Sequence, residues 1–197
     1  MLTNLTNFKE SLDLQTTEND VYLANILERA SDFIERVIVG RVLEEQELVQ
    51  TYDGSGMNHL NLTDGPIVSV SSIALISYDA SGAIVVDETV SPGDYIAVGL
   101  RDRAWKLPGY LQTNGGWSWL SGDQNYQITY TVGFTTGSIP GDLEQAAIMT
   151  ATFYRNRRKD AGTTARNVGD GSITFRTEKE LREELDSLLA GYKAVGY

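Results

Sequence analysis

The chain has 197 residues, 41% of them hydrophobic, enough to bury one good core or a core with a smaller second lobe, which excludes a peptide or a disordered tail. It contains no cysteine, which excludes disulfides, thiolate zinc sites and thiol nucleophiles and makes a reducing cytoplasm the expected compartment. The net charge of -11 sits in the first half, where residues 1–100 carry 16 acids against 4 bases and residues 101–197 carry 11 against 12; such a field excludes tight wrapping of nucleic acid but not a surface that DNA slides past.

No apolar run approaches the roughly 20 residues that span a bilayer, and Met1 to Leu14 lacks a basic segment followed by an apolar one. A soluble, unexported protein with no membrane partner is expected. In chain order, Thr6 to Leu12 predicts a short helical turn capped by Thr6, with Phe8 and Leu12 on one face. Thr17 and Asp20 resemble a capping box, and Ala24, Leu27, Ala30, Ile34 and Ile38 recur at helical spacing, which predicts a helix from about Glu18 to Val39, ended by Gly40.

From Glu44 the texture changes to alternation broken by turn residues such as Asp53-Gly54-Ser55-Gly56, Asp64-Gly65-Pro66, Ala80-Ser81-Gly82 and Asn114-Gly115-Gly116. Val68, Val70, Ile73, Leu75 and Tyr78, then Ile84 to Val86, Tyr95 to Val98 and Tyr126 to Val132 supply strands of an antiparallel sheet or partial barrel.

Helical texture returns at Pro140, which suits a first helical turn, with Asp142 and Glu144 set against the positive end of the dipole. Leu143, Ala146, Ala147, Thr150, Ala151 and Tyr154 form a stripe of mostly small residues that permits close helix packing. Ala161 to Ser172 reads as a flexible loop, Thr177 to Glu180 as a capping box, and Leu181, Leu185, Leu188, Leu189 and Tyr192 as a last amphipathic stripe. The expected fold is α+β: a small helical bundle from 1–43 and 135–197, with an antiparallel β-rich lobe, 44–134, inserted in it.

Candidate chemistry is thin. His59 is the single histidine, which removes His-based triads and multi-histidine metal sites. Glu44, Glu45 and Glu47 offer carboxylates, but spacing along a strand says nothing of the separation that glycoside hydrolysis needs. Asp53 to Gly56 and Gly169 to Ser172 lack the Gly-Lys-Ser/Thr ending of a phosphate loop and the ligand series of a calcium loop. An enzyme is not expected, and no cofactor or metal is implied.

Three groups remain as contact candidates. Arg155, Arg157, Arg158 and Lys159, with Arg166 beyond, either simply offset the helix dipole in solvent or meet an acidic partner or DNA phosphates. Trp117 and Trp119, two apart and facing one side if on a strand, and Trp105 either lie half-buried in their own sheet or anchor a subunit contact. The alternative function is a carbohydrate-binding module stacking sugars on those three rings. The stripe of Leu181, Leu185, Leu188, Leu189 and Tyr192 either closes the bundle or is an arm that orders on a neighbouring protein.

Several stretches resemble one family, the head-to-tail connector (adaptor) proteins of long-tailed bacteriophages. They are the helix carrying Leu23, Ile26, Ala30, Phe33 and Ile34 and closing at Gly40-Arg41, and the run Thr51-Tyr52-Asp53-Gly54, Leu60-Asn61-Leu62 and Gly65-Pro66-Ile67-Val68-Ser69-Val70. Tyr130-Thr131-Val132-Gly133-Phe134 follows, then Ile139-Pro140-Gly141-Asp142-Leu143, Ala146 and Tyr154 to Arg158. The resemblance covers chiefly residues 15–70 and 126–160. It implies a virion structural protein of the neck, assembled in the bacterial host cytoplasm, that forms a ring of about twelve copies by heterologous contacts. It further implies that the ring binds the portal, passes genomic DNA without sequence preference and docks a stopper or other tail protein.

Overall fold

The computed structural model describes residues 1–98, 109–135, 137–159, 165–168, 171–174 and 177–193. The fold is α+β, and the chain divides into two compact units, one of Met1–Gly40 with Thr136–Lys193 and one built on Arg41–Thr135. The first holds four helices, α1 (Leu5–Ser11), α2 (Asp20–Phe33), α3 (Gly141–Lys159) and α4 (Glu178–Leu188), together with strands β8 (Ala165–Val168) and β9 (Gly171–Thr174). The second holds β1 (Gln46–Gly54), β2 (His59–Asn61), β3 (Ile67–Tyr78), β4 (Ile84–Thr89), β5 (Tyr95–Val98), β6 (Tyr110–Thr113) and β7 (Gly122–Val132).

In the helical unit the cap of α1 is Asn4 rather than Thr6, its side chain accepting the Asn7 N–H at 2.8 Å. Helix α2 begins at Asp20 after Asn19 and has no side-chain cap bond, so the Thr17 capping box does not form. Its continuation, Ile34–Val39, is π-helical rather than α-helical and ends at Gly40, whose φ of +75° suits glycine at a helix C-terminus. Phe8, Leu23, Ile26, Leu27 and Ala30 bury against Ala151 of α3, with Ile148 and Tyr154 alongside. Ala146, Ala147, Thr150 and Ala151 are fully buried, and their small size is what lets α2 approach α3 closely. Thr150 hides its hydroxyl by donating to the Ala146 carbonyl at 2.9 Å. In the first turn of α3, Glu144 Oε1 accepts from Thr3 Oγ1 at 3.0 Å and from the Asn7 amide, tying the N-terminal segment down.

Thr177 does form the expected capping box with Glu180. The segment Ala161 to Ser172 is not one irregular loop: β8 and β9 pair antiparallel, Arg166 opposite Ile173 and Asn167 opposite Ser172.

The β unit packs two antiparallel sheets, one ordered β1-β7-β3-β4 and one ordered β2-β6-β5. β7 alternates cleanly, burying Tyr126, Ile128, Tyr130 and Val132 and turning Gln127, Thr129 and Thr131 outward, as a strand with one face on a core must. Those residues meet Ile67 and Ile73 of β3, Leu60 of β2, Leu111 of β6 and Trp119 in one core. Within it sits a polar knot. The Tyr52 and Tyr130 hydroxyls lie 2.5 Å apart, both reach the Gln50 side-chain oxygen Oε1, and Gln50 Nε2 donates to Asp64 Oδ2 at 3.0 Å. Asp64 also accepts the Val42 N–H at 3.2 Å. Burial, with Tyr52 next to it, pushes the Tyr130 phenol far above its usual pKa, so it stays protonated and serves as a donor at all ordinary pH. Buried hydroxyls satisfied in this way specify one register of β1 on β7.

Candidate functional site

The basic end of α3 is built on aromatic rings. Arg158 lies over the Tyr22 ring at 4.3 Å, and Arg157 lies 5.9 Å from the ring of Phe153. Nearby, Arg29 covers Tyr154 at 5.5 Å and Arg182 covers Phe33 at 5.3 Å, while Phe33 and Tyr154 meet edge to face. Each such contact contributes on the order of 0.5–1 kcal/mol at an exposed site and, more to the point here, fixes a guanidinium in place. Glu178 at the start of α4 accepts from Arg157 at 3.1 Å and from Arg182 at 3.0 Å, and those two bonds, Arg182 first, hold its carboxyl below the usual range. One carboxylate thus serves two guanidiniums, so the group of Arg157, Arg182 and Glu178 keeps a net positive charge beside the aromatic rings. Arg155 is half-buried, while Arg157 and Arg158 are exposed. The side chains of Lys159 and Arg166 lie outside the described residues.

The C-terminal stripe turns inward. Leu181, Leu185, Leu189 and Tyr192 are buried, Leu188 is half-buried, and the Tyr192 hydroxyl donates to Asp142 Oδ1 of α3 at 2.6 Å. In this conformation the stripe closes its own bundle, and its apolar atoms are not offered to a partner.

The tryptophans part company. Trp105 lies outside the described residues. Trp117 and Trp119 are not on a strand: they follow the turn Asn114 to Gly116 in irregular chain, with their rings edge to face at 4.9 Å. Trp119 is fully buried against Tyr126, ring centroids 5.2 Å apart, so it is a core residue and corrects the reading of it as a subunit or sugar contact. Trp117 is half-buried and its Nε1 donates to the Asp94 carbonyl at 3.1 Å. A glycan platform needs exposed ring faces, and of these two rings one has none.

His59 is half-buried, edge-on to Tyr110, and Glu47 accepts from Ser71 Oγ at 3.2 Å. Among the described residues no cluster of three or more His, Asp or Glu is placed to hold a metal, and no helix is long and apolar enough to cross a membrane.

One surface was not legible as a site in the sequence. All six residues of β4 are exposed, among them Ile84, Val85 and Val86, and Tyr78 across the hairpin is exposed as well. A run of three adjacent apolar β-branched residues reads as a strand buried on both faces, and only the sheet order shows that it is an edge.

Residues 109–195 match the model of the head completion protein family. Comparison with curated proteins finds no match. Among solved structures, the chain is similar to a chain in the neck of an empty gene transfer agent (GTA) particle computed with C6 symmetry, at 20% identity and a TM-score of 0.63, over 100% of this chain and 91% of that one. A chain of the native gene transfer agent virion matches at 18% identity and a TM-score of 0.61, again over 100% and 91%. A chain in the native GTA neck computed with C12 symmetry matches at 18% identity and a TM-score of 0.60, over 98% and 89%. At these identities the structures show a shared fold across both units. Together with the family match, they bear out the resemblance to head-to-tail connector proteins that the sequence carries.

Proposed function

We propose that this chain is a structural subunit of the neck of a tailed phage or phage-like particle, a connector that forms a ring below the portal. In this reading the ring extends the channel through which genomic DNA passes and presents a face for a stopper or tail protein. The observation that carries it is the match of fold over essentially the whole chain to neck chains, coinciding with a family match over residues 109–195. The C6 and C12 symmetries of those necks support a closed ring of copies, which needs two different complementary faces on each subunit. The acidic balance of the chain suits a channel wall that DNA slides past without being held. The work is mechanical, and no cofactor enters it. The site of action is the virion neck, assembled in the cytoplasm of a bacterial host.

Particles assembled without this chain test the reading. The expected result in electron micrographs is heads with no tails attached, beside free tails, and a loss of infectivity or gene transfer restored by supplying the chain in trans. Normal tailed particles in its absence would contradict the proposal.

A further inference from the structure

We infer that the β3–β4 hairpin is the element by which one copy grips the next, seated on the arginine-rich, aromatic end of α3 in the neighbouring copy. The inference rests on the ring reading above and names the two faces that the ring needs.

The hairpin is shaped for a partner. Tyr78 pairs with Ile84 and Ile76 with Val86, so Tyr78, Ile84 and Val86 share one face near the tip. They are 46%, 43% and 56% exposed, and Val85 on the other face is 42% exposed. Single exposed apolar residues are ordinary, but Tyr78, Ile84 and Val86 together on one face form a patch. β4 is an edge strand whose first half, Ile84 to Val86, carries no charge or Pro to blunt it. The tip is nevertheless well fixed. The Asp79 carboxylate accepts from the Ser81 N–H at 2.8 Å, the Ser81 hydroxyl at 2.6 Å and the Ala83 N–H at 2.9 Å. An apolar element already ordered before it binds loses little entropy on docking.

Charge selects the occupant. Residues 74–89 carry Asp79, Asp87 and Glu88 and no base. The end of α3 offers the opposite: Arg157 and Arg182 share the one carboxylate of Glu178, and Arg158 lies over the Tyr22 ring beside them. It also offers apolar area, since Tyr22 lies half-buried beneath Arg158 and its neighbour Val21 is 79% exposed. An acidic, apolar hairpin and a basic, aromatic face on the same chain are the two unlike surfaces of a head-to-tail contact, which closes into a ring by rotation.

The absence of cysteine makes the test clean. Val86→Cys and Val21→Cys, both at exposed positions, are introduced singly and together, and the proteins are assembled on the portal ring of the same particle before treatment with a short bis-maleimide. The expected result is a ladder of covalent multimers beyond the dimer from the double variant alone. In parallel, Asp87→Lys with Glu88→Lys is expected to abolish ring formation under conditions that assemble wild type, and adding Arg157→Glu with Arg158→Glu to the same chain is expected to restore it. If wild type forms rings while the double-cysteine variant gives no ladder and the hairpin charge variant assembles normally, this inference is overturned and the ring reading stands. Cross-linking of position 86 to the portal instead would assign the hairpin to another occupant and overturn it equally. If wild type itself forms no ring on the portal, both fall.

Discussion

Truncation after Gly171 is expected to unfold the helical unit. The deletion removes Leu181, Leu185, Leu189 and Tyr192, each at most 1% exposed, and strips the cover from the α3 face they pack on. At about 1.5–3 kcal/mol per buried large side chain, the loss is at least about 6 kcal/mol, comparable to the whole stability of an ordinary domain. It also takes away the Tyr192 hydrogen bond to Asp142 and the two bonds from Arg157 and Arg182 to Glu178. Those exposed pairs add little, since surface ion pairs contribute roughly 0–1 kcal/mol, so burial decides the outcome. Circular dichroism melts and limited proteolysis read it directly: helical signal and protease resistance are both expected to drop. A truncated chain that melts like wild type yet no longer associates with its neck partners would show that the stripe is a docking arm.

Gly54→Ala is expected to be nearly as damaging to the β unit. A Cβ at Gly54 would sit 1.7 Å from the Leu120 carbonyl oxygen and 2.8 Å from Asn125 Oδ1. The first clash is with backbone, which cannot swing aside as a side chain can. The same glycine donates its N–H to Asn125 Oδ1 at 2.7 Å and pairs with Gly122 where the β1–β7 register breaks after Tyr52. Pushing the strands apart there would disturb the entry to β7, which carries Tyr126, Ile128 and Tyr130 into the core. Overpacking of this kind costs on the order of 3 kcal/mol or more when backbone must move. The measurement is a chemical denaturation midpoint followed by tryptophan fluorescence, with Trp119 in the core as reporter. An unchanged midpoint would mean that β1 does not approach Leu120 as described.

What the sequence made legible were features whose physics is local. The box Thr177 to Glu180 is complete within four residues, and the small-residue stripe of α3 is a pattern that only close helix packing explains. The start of α2 was misjudged because Thr17, Asn19 and Asp20 are all acceptable caps within one turn, and the choice among them is made by tertiary packing. The π-helical end at Ile34–Val39 leaves no mark in the composition. The pairing of β8 with β9 was hidden by glycine and threonine, which read as loop although a hairpin satisfies the same backbone.

The surfaces were less legible still. Arg157 reaches Glu178 across 21 residues, and Arg158 reaches Tyr22 from a distant helix, so a string of arginines cannot announce the rings beneath it. Of the two alternatives open for Trp119, burial is the one realised, whereas Val86, read only as part of a strand, is surface. The family resemblance read from residues 126–160 falls inside the matched region 109–195, and that match also takes in the C-terminal helix, which the resemblance did not reach.

A ring on the portal is tested most directly by mixing the purified chain with the portal ring of the same particle and recording native mass and electron-microscopy class averages. The expected result is a defined number of copies added per portal and density for a second ring coaxial with its channel. Two folded proteins that show no association well above micromolar concentration would contradict it.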